Sequence, residues 1–369
     1  MKKLLFLIPT LGGGGAERVL VDLINNLNPE KYEITLRVIN GGGVNEKSLN
    51  KNIIYKPLFS FKRKFFIKLL FYMVTSILPT KVLSRMLINK KYDMEIAYLQ
   101  GNATKIVAAS SNKNSVKVAF VHSDFSSCDI SHVYQQYLKS FKAFNKVFFV
   151  SKRSYNGFKK VFGYVPDGGI LYNVLDEQKV ISLSNEPISE KRSDRFLFVS
   201  IGRLCHPKGY DRLIEAVAKL KNTFDFEVWI IGEGNDRQQL EELIKKHGIT
   251  NIKLMGYKEN PFPYVKLADM FLCTSRHEGY STVISEAIIL GKAILTTDCS
   301  GMDEMLDDGK YGIIVENSIE GIQLGIKQVL ENPQIQKEYS TLAQERSSFF
   351  SLEKNIKKYE QTIDNLLEG

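Results

Sequence analysis

The chain has 369 residues, 44% hydrophobic and 25% charged, which is the balance of a folded globular protein and too much chain for one ordinary core, so two domains are expected. Its four cysteines, Cys128, Cys205, Cys273 and Cys299, form no Cys-x-x-Cys pair, which argues against a disulfide framework or a cysteine-built zinc site and fits a reducing compartment. The net charge of +9 is local, since eleven Lys and Arg lie between Lys47 and Lys91 with no acid among them.

In chain order, the opening MKKLLFLIPT carries an apolar run of only Leu4 to Ile8 before glycines begin. It reads as a first buried strand, Lys3 to Pro9, rather than a leader, so a cytoplasmic protein is expected. After the glycines, AERVLVDLINNL is helical by the spacing of Val19, Leu20, Leu23, Ile24 and Leu27. Within the basic region, FKRKFFIKLLFYMVTSIL holds an apolar stretch from Phe65 to Leu78, interrupted by Lys68 and closed by Pro79. That is too short to span a bilayer, which needs about 20 apolar residues. A basic, aromatic-rich amphipathic helix of this kind suits an anionic membrane surface; a core helix with a solvated basic end is the alternative. Nucleic acid could also meet such a patch, but no helix-turn-helix, zinc or stacking motif accompanies it.

YEITLRVI, MEIAYL, VKVAFVH and KVFFVS read as further strands. Residues 176–194 are polar and aperiodic and are taken as a linker. A second series follows: FLFVSIG, FEVWIIG, IKLMG, MFLCTS and AILTTD as strands, with GYDRLIEAVAKL, DRQQLEELIKKHG and STVISEAIILG as helices between them. Ser281 or Thr282 is the expected N-cap of the last helix and Gly291 its C-cap. SLEKNIKKYEQTIDNLLEG closes the chain as an amphipathic helix. Strands alternating with helices predict parallel, doubly wound sheets, whose ligands sit outside the carboxyl ends of the strands.

Three such strand ends carry chemistry. In LGGGGAER, four glycines from Gly12 to Gly15 join a strand to a helix and let the backbone approach a phosphate, with the helix N-terminus supplying N–H groups; a flexible turn is the alternative. The loop matches neither a GxGxxG nor a P-loop pattern. In IGRLCHPKGYDRL, Arg203 and Lys208 follow a strand and suit a diphosphate, the first as a fork and the second as a point charge; solvated surface charges are the alternative. In HEGYSTVISEAIILG, Glu278 and Glu286 are separated by seven residues. The first follows a strand and can accept from sugar hydroxyls. The second, about two turns into a helix among apolar neighbours, can hold a ribose diol. The helix N-terminus between them, near Tyr280 to Thr282, can receive phosphate.

Together these residues resemble the retaining GT-B glycosyltransferases of family 4, along nearly the whole chain. The most specific parts are the Glu278–Glu286 spacing, the Arg203 and Lys208 pair in GRLCHPKG and the N-terminal glycine loop; HEGYSTVISEAIILGKAILTTDCSGMDEML is similar to enzymes that build bacterial capsule, exopolysaccharide or O-antigen. The resemblance implies an α/β GT-B fold: two doubly wound Rossmann-like domains, 1–175 and 195–351, with a cleft between them and a C-terminal helix, 352–369, returning to the first. It implies that Arg203 and Lys208 bind the donor diphosphate, Glu286 the ribose and Glu278 the transferred sugar. Gly279, Tyr280 and Ser281 would offer backbone N–H groups, Gly13 and Gly14 would line the cleft, and Lys258 would lie near the nucleobase. His122, in AFVHSDFS, matches a histidine placed near the anomeric carbon, with a buried structural histidine as its rival.

The implied activity is transfer of a sugar, from a UDP-sugar rather than a GDP-sugar, to a saccharide on a polyprenyl diphosphate at the inner face of the plasma membrane. No cofactor is implied, and the absence of an Asp-x-Asp motif makes metal independence the expectation. A sugar-nucleotide epimerase of the same fold, or a non-catalytic partner that binds nucleotide sugar, are the alternatives.

Overall fold

A computed structural model describes residues 1–60, 78–127, 130–164 and 166–369. They form two compact units, Met1–Leu175 with Leu352–Gly369, and Asp176–Ser351. The first holds a seven-stranded parallel sheet built from β1 (Lys2–Thr10), β2 (Tyr32–Gly41), β3 (Ile54–Ser60), β4 (Met94–Ala97), β5 (Val116–Val121), β6 (Lys146–Phe149) and β7 (Gly168–Ile170). Their order across the sheet is β3-β2-β1-β4-β5-β6-β7. Covered on both faces, β1 is a continuous apolar run from Leu4 to Ile8 rather than an alternating one; Leu4, Leu5, Leu7 and Ile8 are fully buried. In register, Leu4 of β1 lies opposite Ile34 of β2 and Met94 of β4.

The one buried arginine of β2, Arg37, ends against the helix Thr80–Leu87. It donates from Nε to the carbonyl of Leu87 at 2.8 Å and from a terminal nitrogen to that of Met86 at 2.7 Å. Helix ends leave carbonyls without intrahelical partners, so this buried cation finds its acceptors there. On the other arm an aromatic cluster fills the space under the helix Lys152–Phe162, with Phe141 and Phe158 edge-to-face at 5.0 Å.

The C-terminal helix, Leu352–Glu368, lies on the first unit. Its Tyr359 is buried, stacks on Phe120 of β5 with centroids 6.0 Å apart, and donates to the carbonyl of Tyr172 at 3.0 Å. At its far end Asp364 accepts from Tyr32 at 2.5 Å, and Glu360 accepts from the Asn28 amide at 2.7 Å.

The second unit holds a six-stranded parallel sheet of β8 (Phe196–Ile201), β9 (Phe226–Ile231), β10 (Ile252–Gly256), β11 (Met270–Cys273), β12 (Ala293–Thr297) and β13 (Ile313–Val315). The order is β10-β9-β8-β11-β12-β13. Two doubly wound α/β units are therefore what the sequence led one to expect.

Several elements differ from the sequence reading. Residues 176–194, expected to be an aperiodic linker, contain the helix Glu177–Leu183, capped by Asp176, which accepts from the Lys179 amide at 2.9 Å. Gly291 is not the C-cap itself; Leu290 is, and Gly291 takes the left-handed position after it at φ +65°. Strands β3, β7 and β13 and the helices Ile319–Glu331 and Gln334–Ser347 were not anticipated. The expected amphipathic helix from Phe65 to Leu78, with Lys62, Arg63, Lys64 and Lys68, lies outside the described residues except at its last position, as does Cys128.

Tyr359→Ala lowers unfolding stability by about 3 kcal/mol or more, the range for emptying a buried aromatic site. Tyr359→Phe costs about 1 kcal/mol, the value of one hydrogen bond. Denaturant titration of the full chain, following the near-UV signal, reads both. Equal small losses would mean the helix is only loosely attached.

Candidate functional site

In the second sheet the strand order reverses between β8 and β11, so the loops leaving their carboxyl ends face a common crevice. The loop after β8 passes Gly202 and Arg203 into a short 3-10 turn, His206–Lys208, and then Gly209. The loop after β11 runs from Thr274 to Ser281 and enters the helix Thr282–Ile289. The two loops touch backbone to backbone. Gly209 has φ +67°, and a Cβ added there would sit 2.1 Å from the Thr274 carbonyl oxygen, so no side chain is admissible.

Polar groups sew the loops together. Thr274 donates from its hydroxyl to the Lys208 carbonyl at 3.2 Å. The Arg276 amide donates to the Pro207 carbonyl at 2.7 Å. The Arg276 guanidinium binds both carboxylate oxygens of Asp211, at 2.7 and 2.6 Å, and also the His206 carbonyl at 2.8 Å. Arg212 donates to the carbonyls of Thr274 and Asn317 at 2.9 and 2.7 Å. Burial would raise the Asp211 carboxyl, but the Arg276 guanidinium outweighs it and holds it below its ordinary value.

At the centre, Lys208 Nζ lies 2.6 Å from Glu278 Oε1. The same oxygen accepts from the buried Ser275 hydroxyl at 2.7 Å, and Cys273 Sγ is 3.5 Å from that hydroxyl. Burial works to lower the Lys208 ammonium, yet the adjacent Glu278 carboxylate more than offsets this and its pKa is raised, so the lysine is a permanent cation. Two residues separated by 70 positions, both singled out in the sequence, are thus in direct contact.

The others are arranged around this pair. Glu286, about one turn into the helix Thr282–Ile289 rather than the two expected, is 1% exposed among Ile284, Ala287 and Ile288, so it is not on a solvated face. Ser281 is the N-cap, although its side chain makes no capping bond; it and Tyr280 are buried. Gly279 packs under a second loop, where a Cβ on Gly301 would meet the Gly279 carbonyl at 2.8 Å. Arg203 is exposed and makes no ion pair among the described residues. Lys258, after β10, pairs with Glu190, which also accepts from Tyr264 at 2.7 Å. The hydrogen bond from Lys258, then that from Tyr264, lowers Glu190 to about 2.

The first sheet has its own reversal, between β1 and β4. The glycine loop follows β1, with Gly13 exposed and Gly14 as N-cap of the helix Gly15–Asn26. Glu17 curls back beside the loop, since a Cβ on Gly14 would lie 2.2 Å from Glu17 Oε2. An acid therefore already occupies the helix N-terminus that the sequence reading offered to a ligand. After β4 and β5, Gln100 accepts from the His122 amide at 3.0 Å and donates to Ser123 at 2.5 Å. Burial depresses the His122 imidazole from 6.5 to about 4, only partly opposed by a hydrogen bond to the Tyr98 backbone. Its Nε2 is buried with no hydrogen-bond partner among the described residues. At neutral pH this is a neutral ring, not a cation.

Sequence reasoning missed Ser275, Arg276, Asp211, Thr274 and Asn317. A weak signal was present, since Asp211 lies three residues past Lys208 and Arg276 two before Glu278. Polar residues flanking a motif at a strand end are candidates for holding it in place.

Residues 183–346, within the second unit, match the family model described as Glycosyl transferases group 1. Along nearly its whole length the chain is similar to the N-acetylgalactosamine-N,N'-diacetylbacillosaminyl-diphospho-undecaprenol 4-alpha-N-acetylgalactosaminyltransferase of Campylobacter jejuni, with 29% identity over 363 residues, 95% of this chain and 96% of that protein. It is also similar to the lipopolysaccharide core biosynthesis glycosyltransferase LpsE of Rhizobium meliloti, 26% identical over 163 residues, 44% of this chain and 47% of that one. Among solved structures, Anabaena HepE in complex with UDP and glucose superposes with a TM-score of 0.77 at 19% identity, covering 99% of this chain and 100% of that chain. The fold is that of the GT-B glycosyltransferases.

Because His122 is easier to protonate unfolded than folded, its contribution to stability is full above about pH 6.5 and is lost as pH falls towards 4. Wild type should therefore lose urea resistance over that window, and His122→Gln should lose less of it. Identical slopes in the two proteins would place another group in charge.

Proposed function

We propose that the protein is a retaining, metal-independent glycosyltransferase that carries a hexosyl or N-acetylhexosaminyl group from a nucleotide-sugar donor, a UDP-sugar by preference, to a saccharide on a polyprenyl diphosphate, in the assembly of a bacterial surface polysaccharide. The observation that carries the reading is the Lys208–Glu278 contact at the β8/β11 reversal, with buried Glu286 deeper in the same loop-to-helix turn. A cation, a sugar-facing carboxylate and a ribose-facing carboxylate are what a nucleoside diphosphate sugar requires side by side. The lipid-linked acceptor and the N-acetylhexosaminyl alternative are favoured by the name of the Campylobacter relative, and the UDP donor by the ligand in the HepE structure.

In this reading the second unit holds the donor. Exposed Arg203 and the Lys208 ammonium neutralise charge as the sugar–phosphate bond breaks and the departing nucleoside diphosphate becomes more negative. Backbone N–H groups at Gly279, Tyr280 and Ser281 add to this from the helix N-terminus. Glu278 keeps Oε2 clear of its bonds to Lys208 and Ser275 and so has an acceptor for a sugar hydroxyl. The acceptor hydroxyl forms its bond to the anomeric carbon on the face the phosphate leaves, and its proton passes to the departing phosphate oxygen. Lys258, already paired with Glu190, is a neighbour of the base rather than a charge on it.

The first unit is assigned the acceptor. Gly13 and Gly14 allow close approach, and the Glu17 carboxylate beside them favours hydroxyls over phosphate there. Neutral His122 serves as a hydrogen-bonding wall near the anomeric carbon, through Nε2. The protein works in the cytoplasm, peripheral to the plasma membrane. Lys47, Lys51, Lys56, Lys81, Arg85, Lys90 and Lys91, all exposed, supply the described part of the basic patch that meets anionic lipid.

Lys208→Ala and Arg203→Ala should each remove about 2 kcal/mol or more of transition-state stabilisation, the scale of a charge-assisted contact. The assay is nucleotide release from a panel of UDP- and GDP-sugars with lipid-linked acceptor from the cell's own membranes. Release with one donor, dependent on lipid, unchanged in EDTA and lost in Glu286→Ala, is the expected result. Release without acceptor, yielding an altered free sugar, would identify an epimerase or hydrolase instead. Tight donor binding without turnover would identify a non-catalytic partner. Charge removal at Lys81 and Arg85 should weaken binding to phosphatidylglycerol vesicles, most at low salt; unchanged binding removes the membrane role from these residues.

A further inference from the structure

A second run of glycines, Gly41 to Gly43, closes β2 and leads into a short 3-10 turn, Val44–Ser48. β2 and β1 are neighbours in the first sheet, with Asn40 opposite Thr10, so the two glycine loops leave the same edge side by side. They meet backbone to backbone. A Cβ on Gly43 would lie 2.1 Å from the Leu11 carbonyl oxygen and 2.9 Å from the Gly12 amide nitrogen, an approach open only to glycine.

Asn45 closes this contact at two points. Its amide donates to the Leu11 carbonyl at 3.1 Å, and its side-chain Nδ2 donates to the Gly12 carbonyl. One half-buried residue thereby holds two consecutive carbonyls of the loop after β1. From the other side the Thr10 hydroxyl accepts from the Gly12 amide and donates to Glu17, both at 3.4 Å. Asn45 is held in turn by its neighbour. Glu46 Oε1 accepts from the Gly42 amide at 2.5 Å, from the Gly43 amide at 2.9 Å and from the hydroxyl of Tyr55 on β3. Burial, then the bond to Glu46, push the Tyr55 phenol well above its usual value, so it remains a donor. A single carboxylate oxygen thus fixes the turn that presents Asn45.

We propose that Asn45 is a positioning residue for the acceptor: it clasps the loop Gly12–Gly15 in the shape that receives the saccharide, and Glu46 keeps Asn45 in place. This rests on the reading that assigns the acceptor to Gly13 and Gly14. Glycine loses more conformational freedom on ordering than any other residue. Four in a row without a clasp would have to be ordered by the ligand, at the expense of its affinity. The clasp does that ordering beforehand. Its removal is felt in acceptor binding and not at Lys208, Glu278 and Glu286, which belong to the other unit.

Steady-state kinetics on the full chain test it, with nucleotide release read while donor and lipid-linked acceptor are titrated separately. Asn45→Asp keeps the size of the side chain but turns the N–H that meets Gly12 into an acceptor. It should raise the acceptor KM by about tenfold, the equivalent of one lost hydrogen bond, with the donor KM within about twofold of wild type. Asn45→Ala, which keeps the backbone bond to Leu11, answers the same question if Asn45→Asp misfolds. Glu46→Ala should act likewise and speed hydrogen exchange in peptides spanning 41–48, whereas Glu46→Gln, which retains an oxygen for the two amides and Tyr55, should restore both. An unchanged acceptor KM in the Asn45 variants overturns the proposal. So do equal rises in both KM values, which a general loss of structure would give. Wild-type chain that releases no nucleotide with any donor fails at the transferase reading and takes this proposal with it; failure of the clasp alone shows as normal wild-type turnover with variants that match it.

Discussion

The backbone of Gly209 runs against the Thr274 carbonyl so closely that no side chain fits, and the arrangement of the second unit's site follows from that contact. Two loops that leave different strands become one rigid body at the sheet reversal. Position along the sheet alone would bring them to the same crevice, but would leave each free to move. The backbone contact, the Thr274 hydroxyl and the Arg276 clamp on Asp211 and His206 remove that freedom before any ligand arrives. Lys208 and Glu278 are then presented at a fixed separation, which is what a site for a charged, flexible ligand needs if it is not to spend binding free energy on ordering its own loops.

The legible part of the fold was the part whose burial leaves a trace in composition. Central strands such as β1, β5, β9 and β12 are covered on both faces and appear as predominantly apolar runs, with at most one charged residue inside β5 and β9. Strands β3, β7 and β13 escaped notice, and all three are at sheet edges. β3 carries Pro57, tolerated at an edge because no further strand needs its N–H; β7 and β13 are three residues each. The helix Glu177–Leu183 was hidden for a different reason: one buried residue, Val180, gives no periodicity to read.

At the second sheet's reversal, the residues singled out in the sequence were legible from their places at strand ends, and the residues that hold them there were not. Glu278, Glu286, Lys208 and Arg203 stand at strand ends in a pattern with a chemical rationale. Arg276, Asp211 and Asn317 form contacts across 65 and 41 positions that only the folded chain reveals. Lys258 shows the opposite case. Its place after β10 was read correctly, but the partner that occupies it, Glu190, lies 68 residues earlier in a segment read as linker.

The unit's two ion pairs separate scaffold from site by how much hydrogen-bonding capacity each cation retains. Arg276 gives its fork to Asp211 and a further N–H to the His206 carbonyl, so its planar donors are already directed into the loops. Lys208 has three N–H donors and, among the described residues, makes one hydrogen bond, to Glu278. The same contrast holds for the acids: Asp211 uses both oxygens on Arg276, whereas Glu278 takes Lys208 and Ser275 on one. A pair that shields each partner's charge while leaving donors and an acceptor open can stay half-buried without a ligand and still bind one when it arrives. That is the behaviour the proposed contacts with a diphosphate and a sugar require, and it differs from that of groups whose work is to hold two loops together.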